Sequence, residues 1–260
     1  MKKYAFSTTA LYPLDSVESL KLIGEAGFKY AELMPQCFSD VSDEFASRAL
    51  DTGVKVSSIH YPLAMFAMLY TSHPGMSKDG REFGRRLVNL AEKLGTEVIV
   101  IHPHIPGDPK NKELLEQPVI DNMKYLADIC LEKGITLGME NSPKGPGKTA
   151  SELLDYIASF NGHPAIKPVV DTTEACEAFQ DPGEFIKIAK PVHLHLSDHK
   201  GEVKHLPAGE GELDWNYIKS TLDGYTGYYT LEPSYRFYLE DTKDKLKKSY
   251  QFISELFGDQ

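Results

Sequence analysis

Short apolar runs alternate along the whole chain with longer segments in which apolar residues recur every three to four positions. The short runs are typical of strands buried on both faces, and the longer segments of amphipathic helices. Helix-capping residues follow the same alternation: Asp15 is placed to begin the first helix, Gly27 to end it, and Asp214 to begin the seventh. The predicted strands cover residues 4–8, 29–33, 54–60, 97–102, 135–140, 166–171, 192–197 and 227–232.

A helical segment follows each of these strands. The predicted helices cover residues 16–27, 42–52, 78–94, 112–133, a segment capped by Thr149 or Ser151, a segment that restarts at Asp181-Pro182 and reaches Lys190, then 215–224 and 241–257. Eight such units in 260 residues predict an α/β fold, a closed (β/α)₈ barrel forming a single domain over residues 1–260.

The alternative is an open doubly wound sheet. It calls for a glycine-rich turn after the first strand, where residues 7–10 read Ser-Thr-Thr-Ala.

The composition predicts a cytoplasmic protein without a membrane span. The three cysteines are scattered, with no CxxC spacing, which favours reduced thiols. Polar residues 7–9 interrupt the N-terminal apolar run, which argues against a signal peptide, and no stretch approaches the ~18 apolar residues of a bilayer span. The net charge of −10 disfavours nucleic acid and anionic membranes as partners.

Ionisable side chains stand at the carboxyl ends of seven of the eight predicted strands. They are Glu32, His60, His102, Glu140, Asp171, His195 and Glu232. Because active sites of such barrels form at this end, we expect these side chains to converge. Each follows an apolar run, where an unpaired charge is unfavourable, so a bound cation is the simplest compensation.

Four of these residues, on consecutive strands, form the strongest candidate metal site: Glu140, Asp171, His195 and Glu232. Three carboxylates and one imidazole suit Zn²⁺ or Mn²⁺, with Co²⁺ and Mg²⁺ as alternatives. Such an ion can polarise a carbonyl group. His60 and His102, with Glu140 as a shared ligand, could hold a second ion; the sequence leaves open whether they bind an ion or the substrate.

Further candidates lie around this set. Strand alternation puts His193 on the same side as His195 but deeper in the barrel, where it is expected either to be a core residue or to support a ligand. Glu32 is expected to support a ligand or to contact the substrate. Lys144 lies in a Gly/Pro-rich loop that is either solvated or meets a polyhydroxy or anionic substrate. Residues 61–76, rich in Met, Tyr and His, are predicted to be a loop. Residues 61–70 of this loop are expected to form an apolar wall or the subunit contact of a homo-oligomer.

The chain resembles the xylose isomerase-like barrel superfamily over essentially its whole length. The motifs that carry the resemblance are LGMEN at Glu140, VVDT at Asp171, HLSD at His195, HLPAGEGELDW from His205, and TLEP at Glu232. The superfamily includes sugar-phosphate isomerases and epimerases, ketose 3-epimerases, hydroxypyruvate isomerase, inosose dehydratase and endonuclease IV.

This resemblance implies a metal ion held by the same four residues and an isomerase or epimerase of a small sugar, sugar phosphate or keto acid. In the epimerases of the superfamily the two glutamates, matched here by Glu140 and Glu232, are also the acid–base pair. One removes the proton next to the carbonyl, the other returns it from the opposite face, and the metal stabilises the enediolate.

The endonuclease IV branch implies an alternative, a zinc phosphodiesterase acting on DNA, with ligands at His60, His102 and His205. Two further ligands of its third ion are replaced here by Glu174 and Val203. The ketose epimerases usually also carry a histidine where Glu174 stands, so Glu174 is a candidate substrate contact that departs from the usual pattern. His205 is a candidate contact of the substrate or of a further ion. A dehydratase of the inosose or dehydroshikimate type is the other alternative.

Overall fold

The computed structural model describes residues 2–105 and 109–258. The strands are β1 (Lys3–Ser7), β2 (Tyr30–Leu33), β3 (Lys55–His60), β4 (Val98–Ile101), β5 (Thr136–Glu140), β6 (Ile166–Asp171), β7 (His193–Leu196), β8 (Asp198–Lys200), β9 (Val203–Leu206) and β10 (Tyr228–Leu231). All but β8 and β9 pair in parallel into one closed barrel, which β10 closes onto β1. The prediction of a single (β/α)₈ barrel is therefore confirmed.

Helices surround the barrel and connect its strands. They are α1 (Ser16–Glu25), α2 (Asp43–Leu50), α3 (Phe66–Leu69), α4 (Pro74–Leu94), α5 (Lys112–Glu132), α6 (Ala150–Ala158), α7 (Thr172–Glu177), α8 (Pro182–Ala189), α9 (Trp215–Thr221) and α10 (Thr242–Phe257). Among the described residues, none of the helices combines the length and the apolarity that a bilayer crossing requires.

Side-chain caps begin several of these helices where the sequence places them. The Asp15 carboxylate accepts hydrogen bonds from the first-turn amides of α1, and Asp214 caps α9 in the same way. Thr149 forms a capping box with Glu152 at the start of α6, which decides between Thr149 and Ser151.

The structure corrects the predicted connections at two places. Residues 61–76 are not a plain loop, because they contain the short helix α3 and the first turn of α4. The helix α4 starts earlier than expected because Pro74 occupies its first turn and His73 caps it. The connection after β7 contains the antiparallel hairpin of β8 and β9. In the predicted loop after β4, residues 106–108 lie outside the described residues.

Close packing between neighbouring strands shows most clearly at Gly138, two residues before the end of β5. A Cβ atom there would lie 2.5 Å from Val169 Cγ2 and 3.1 Å from Val98 Cγ1. Both neighbours are β-branched side chains on the adjacent strands, and their restricted χ1 angles leave them little freedom to turn away. Glycine is therefore required for β4, β5 and β6 to approach one another.

We expect Gly138→Ala to destabilise the fold by about 1–3 kcal/mol, because the added methyl group overpacks the barrel wall. Urea denaturation measures the change. Gly84→Ala is the matched control, since its methyl group would meet only the end of the Leu126 side chain, at 3.3 Å, and alanine favours a helix. Equal stability of the Gly138 variant and the wild type would show that these strands tolerate the methyl group.

Candidate metal centre

Three strand ends and the residue after β10 bring four side chains together. Glu140 and Asp171 are the last residues of β5 and β6, His195 lies in β7, and Glu232 follows β10 directly. One ligand atom from each of the four lies within 4.8 Å of the others. Asp171 and His195 are fully buried and Glu140 almost so, whereas the Glu232 side chain keeps 14% of its surface exposed. The four residues that the sequence singles out therefore form one compact group.

His195 stands at the centre of this group. Its Nδ1 lies 2.6 Å from Glu140 Oε1 and 2.7 Å from Glu232 Oε2, and its Nε2 lies 3.0 Å from the Glu32 carboxylate. Burial by itself lowers the pKa of His195, but the charges of Glu140, Glu232 and Glu32 outweigh it and raise the pKa well above its ordinary value. Without a metal ion, the imidazolium of His195 is the cation that these carboxylates share.

The Glu140 carboxylate stays ionised in this setting. Burial raises its pKa, but the positive charges of His195 and His102 outweigh burial and hold the pKa well below its ordinary value. An ionised carboxylate can act both as a ligand and as a base.

The two carboxylate oxygens of Asp171 have different surroundings. Oδ1 caps helix α7 by accepting a 2.7 Å hydrogen bond from the Glu174 amide. Oδ2 is buried without a hydrogen-bond partner in the described structure, and His205 Nδ1 lies 4.0 Å away. Burial raises the pKa of Asp171 to about 8. A buried oxygen of this kind fits a divalent cation, as does a donor set of three carboxylates and one imidazole.

His60 and His102 lie beside Glu140 and form a second group. Nε2 of His102 is 3.1 Å from Glu140 Oε2, and Nε2 of His60 is 3.5 Å from the same oxygen. Nδ1 of His60 donates to the Tyr61 carbonyl at 2.8 Å, which points Nε2 towards Glu140. Burial lowers the pKa of His60, but the hydrogen bond to Glu140 and the nearby carboxylates raise it to about 9. This group shares Glu140 with the first and could hold a second ion.

His205 and Glu174 face each other on another side of the site. Nε2 of His205 lies 3.6 Å from Glu174 Oε1, and its Nδ1 lies 3.3 Å from Ser197 Oγ. Burial lowers the pKa of His205, but Glu174 and Asp171 raise it to about 9. The backbone of His205 has a φ of +49°, a value that residues other than glycine rarely adopt. The surrounding structure must therefore hold it there.

Asp198 anchors the hairpin that carries His205. Its buried carboxylate accepts hydrogen bonds from the His199 and Gly209 amides, at 2.8 and 2.9 Å, and from Trp215 Nε1 at 2.8 Å. These contacts tie the hairpin to the start of α9. Sequence reasoning missed this role, although the HLSD motif contains Asp198.

Three further residues that the sequence analysis did not assign support the ligands. Ser7 and Thr9 each donate a 3.2 Å hydrogen bond to Glu232 Oε1, which leaves Oε2 facing His195. The Asn141 side chain accepts from the Asp171 amide at 2.7 Å and donates to the Asp171 carbonyl at 3.1 Å. Their positions, at or just beyond the ends of β1 and β5, were the only sequence signal for these roles.

The site opens into a cavity of about 360 Å³. Its ionisable lining consists of His60, His102, Glu140, Glu174, His205 and Glu232. The rest of the lining consists of Thr9, Tyr12, Met34, Leu63, Pro233, Ser234 and Tyr235. The cavity lining therefore combines ionisable groups with aromatic and aliphatic surface.

Two candidate substrate contacts do not reach this cavity. Glu32 is fully buried, and its carboxylate binds His193 and His195 instead. The Lys144 side chain is exposed to solvent on the loop after β5. Neither residue lines the cavity in the described structure.

A family model described as the xylose isomerase-like TIM barrel matches residues 20–256. The chain belongs to this family. A protein of Mycobacterium tuberculosis (strain H37Rv), itself uncharacterised, is 26% identical in an alignment of 255 positions that covers 89% of each chain.

Solved structures share the fold at lower identity. A D-tagatose 3-epimerase-like protein superposes with a TM-score of 0.81 at 21% identity, covering 98% of this chain and 96% of that one. A probable 3-DHS dehydratase from Bacillus anthracis gives a TM-score of 0.76 at 16% identity, covering 97% and 98%.

We expect the affinity for a divalent ion to rise with pH. Asp171, whose pKa is about 8, and His195, whose pKa is raised well above its ordinary value, are both protonated at neutral pH and must lose their protons to become ligands. The affinity should therefore increase about tenfold per pH unit for each proton released between about pH 6 and about pH 7.5. Competition with a chromogenic chelator measures this slope.

The matched variant is Asp171→Asn. Its side chain has nearly the same shape, but it is not ionisable and releases no proton when an ion binds. It should bind the ion more weakly, and its slope should be lower by about one proton. An affinity in the wild type that does not change with pH would show that neither Asp171 nor His195 is a ligand.

Proposed function

We propose that this protein is a metal-dependent isomerase or epimerase of a small carbohydrate. One observation carries the proposal: Glu140 and Glu232, from two different strands, both line the cavity and both approach Nδ1 of His195, at 2.6 and 2.7 Å. Two carboxylates that face one point from separate strands can serve a single carbon atom from opposite sides.

The reaction follows from what these groups can do. One glutamate removes the proton from the carbon next to the substrate carbonyl, and the other delivers a proton. Return to the opposite face of the same carbon gives an epimer, and return to the former carbonyl carbon gives an isomer. A divalent ion held by Glu140, Asp171, His195 and Glu232 would polarise the carbonyl oxygen and stabilise the enediolate.

The residues around the pair hold the substrate in place. His205, protonated at neutral pH, donates to a substrate hydroxyl, and the facing Glu174 carboxylate accepts from one. Ser7 and Thr9 hold one oxygen of Glu232 and keep the other towards the cavity. Family membership supports the proposal, and so does the fold shared with a D-tagatose 3-epimerase-like protein.

We expect Glu232→Gln to reduce solvent hydrogen exchange next to a substrate carbonyl by about 10²–10⁴-fold, because the amide cannot accept the proton. Ketoses, their phosphates, keto acids and inososes in D₂O form the substrate panel, read by NMR; loss of water from any of them would indicate a dehydratase instead. The exposed Glu210→Gln on a neighbouring loop is the control and should exchange normally. Undiminished exchange in a Glu232→Gln protein that keeps its metal would remove Glu232 from the acid–base pair.

A second candidate function is hydrolysis of phosphodiesters with two ions. The observation that favours it is the group of His60, His102 and Glu140, which shares Glu140 with the first site as a bridging ligand would. The net charge of −10 opposes it, because a DNA-binding surface must neutralise phosphates.

Metal stoichiometry separates the two functions. For the isomerase we expect about one ion per chain by elemental analysis, no change in His102→Gln, and no nicking of DNA that contains an abasic site, because one ion suffices to polarise a carbonyl. Two ions in the wild type, one of them lost in His102→Gln, together with nicking of this DNA, would establish the hydrolase instead.

A further inference from the structure

Glu32 is a fully buried carboxylate that lies at the end of β2 and does not line the cavity. In the described structure, both hydrogen-bond partners of its carboxylate are imidazoles. The Nε2 atoms of His195 and His193 each lie 3.0 Å from its oxygens. A carboxylate enclosed in the barrel interior is unfavourable unless it is paired, and here both partners are histidines.

The hydrogen bond to Glu32 determines which nitrogen of His195 faces the ligands. The buried Glu32 carboxylate lies 3.0 Å from the Nε2 atoms of both imidazoles, and a carboxylate in this position accepts a hydrogen bond from each. Nε2 of His195 must therefore carry a proton and donate it. Nδ1 is left as the ligand atom, and it is Nδ1 that faces Glu140 and Glu232.

His193 holds Glu32 from the other side. Its Nε2 lies 3.0 Å from Glu32 Oε2 and 3.3 Å from the Thr230 hydroxyl, and its ring packs edge-on against His195 with centroids 5.2 Å apart. Nδ1 of His193 has no hydrogen-bond partner in the described part of the chain. Glu32 is thus the only one of these neighbours that connects His193 with the ligand histidine by a hydrogen bond.

We propose that Glu32 and His193 are positioning residues that present Nδ1 of His195 to the metal ion. Glu32 fixes the tautomer and the ring orientation of His195, and His193 fixes the carboxylate of Glu32. A carboxylate that accepts from the far nitrogen of a ligand histidine also makes that histidine a better donor to the ion. The inference rests on the proposed function in one respect, namely that the site binds a divalent ion.

Zinc affinity tests the inference without reference to turnover. We expect Glu32→Ala to weaken Zn²⁺ binding about 10- to 100-fold, and Glu32→Gln to weaken it less, because the amide oxygen can still accept from His195. His193→Leu should weaken binding, and His193→Gln should restore part of it through its amide N–H. The matched control is Ser58→Ala, the buried residue paired with Glu32 across β2 and β3, which should bind Zn²⁺ as the wild type does.

The ring nitrogens of His195 provide a second readout that does not depend on the metal. In ¹⁵N-histidine NMR spectra of the metal-free protein we expect a slowly exchanging Nε2 proton with the downfield shift of a hydrogen bond to a carboxylate. This signal should be retained in Ser58→Ala and lost in Glu32→Ala. Thermal scans identify variants that fail to fold, and Glu32→Gln, which keeps the side-chain volume, then supplies the comparison.

These measurements separate the two proposals. A wild-type chain that binds no Zn²⁺, Mn²⁺, Co²⁺ or Mg²⁺ contradicts the proposed function, and the NMR signal of His195 still decides whether Glu32 orients the ring. A folded Glu32→Ala variant with wild-type zinc affinity and an unchanged Nε2 signal would overturn the positioning role. The same result in Glu32→Gln alone would show that the shape of the side chain is sufficient and its charge is not needed.

Discussion

The candidate metal centre is governed by the electrostatic repulsion among four buried or half-buried carboxylates that surround one imidazole. Glu32, Glu140 and Glu232 each contact a ring nitrogen of His195, and Asp171 completes the group. Carboxylates brought so close together repel one another strongly in a medium of low dielectric constant. Protons on His195 and Asp171 relieve the repulsion in the metal-free protein, and a divalent ion would relieve it more fully. The negative charge gathered at these strand ends would therefore favour the binding of a cation.

The barrel makes this arrangement possible because each ligand has a second contact that fixes its direction. Oδ1 of Asp171 caps α7, the backbone of Asp171 is held by Asn141, and one oxygen of Glu232 is held by Ser7 and Thr9. The remaining atoms then point inward. Parallel strands end at the same edge of the barrel, so a few residues at successive strand ends suffice to build the group.

The cavity combines two surfaces that serve different purposes. The ionisable groups around Glu140 and Glu232 are suited to moving a proton, and the aromatic surface of Tyr12 and Tyr235 is suited to packing against the non-reacting part of a substrate. Between them, His205 is held in an unusual backbone conformation by the hairpin that Asp198 anchors. Substrate choice in this protein is therefore expected to lie in the connections after the strands rather than in the barrel itself.

Strand period and strand order in the sequence are enough to predict the barrel and the four residues grouped at its carboxyl end, because parallel strands bring their last residues to one edge. The sequence also placed His193 beside His195, since residues two apart share a face. The folded structure was needed to show that Glu32 contacts these two histidines and that Lys144 is exposed to solvent. It was also needed to find the supporting contacts of Asp198, Asn141, Ser7 and Thr9. These contacts join residues far apart in the chain, and local pattern carries no information about which buried polar groups satisfy one another.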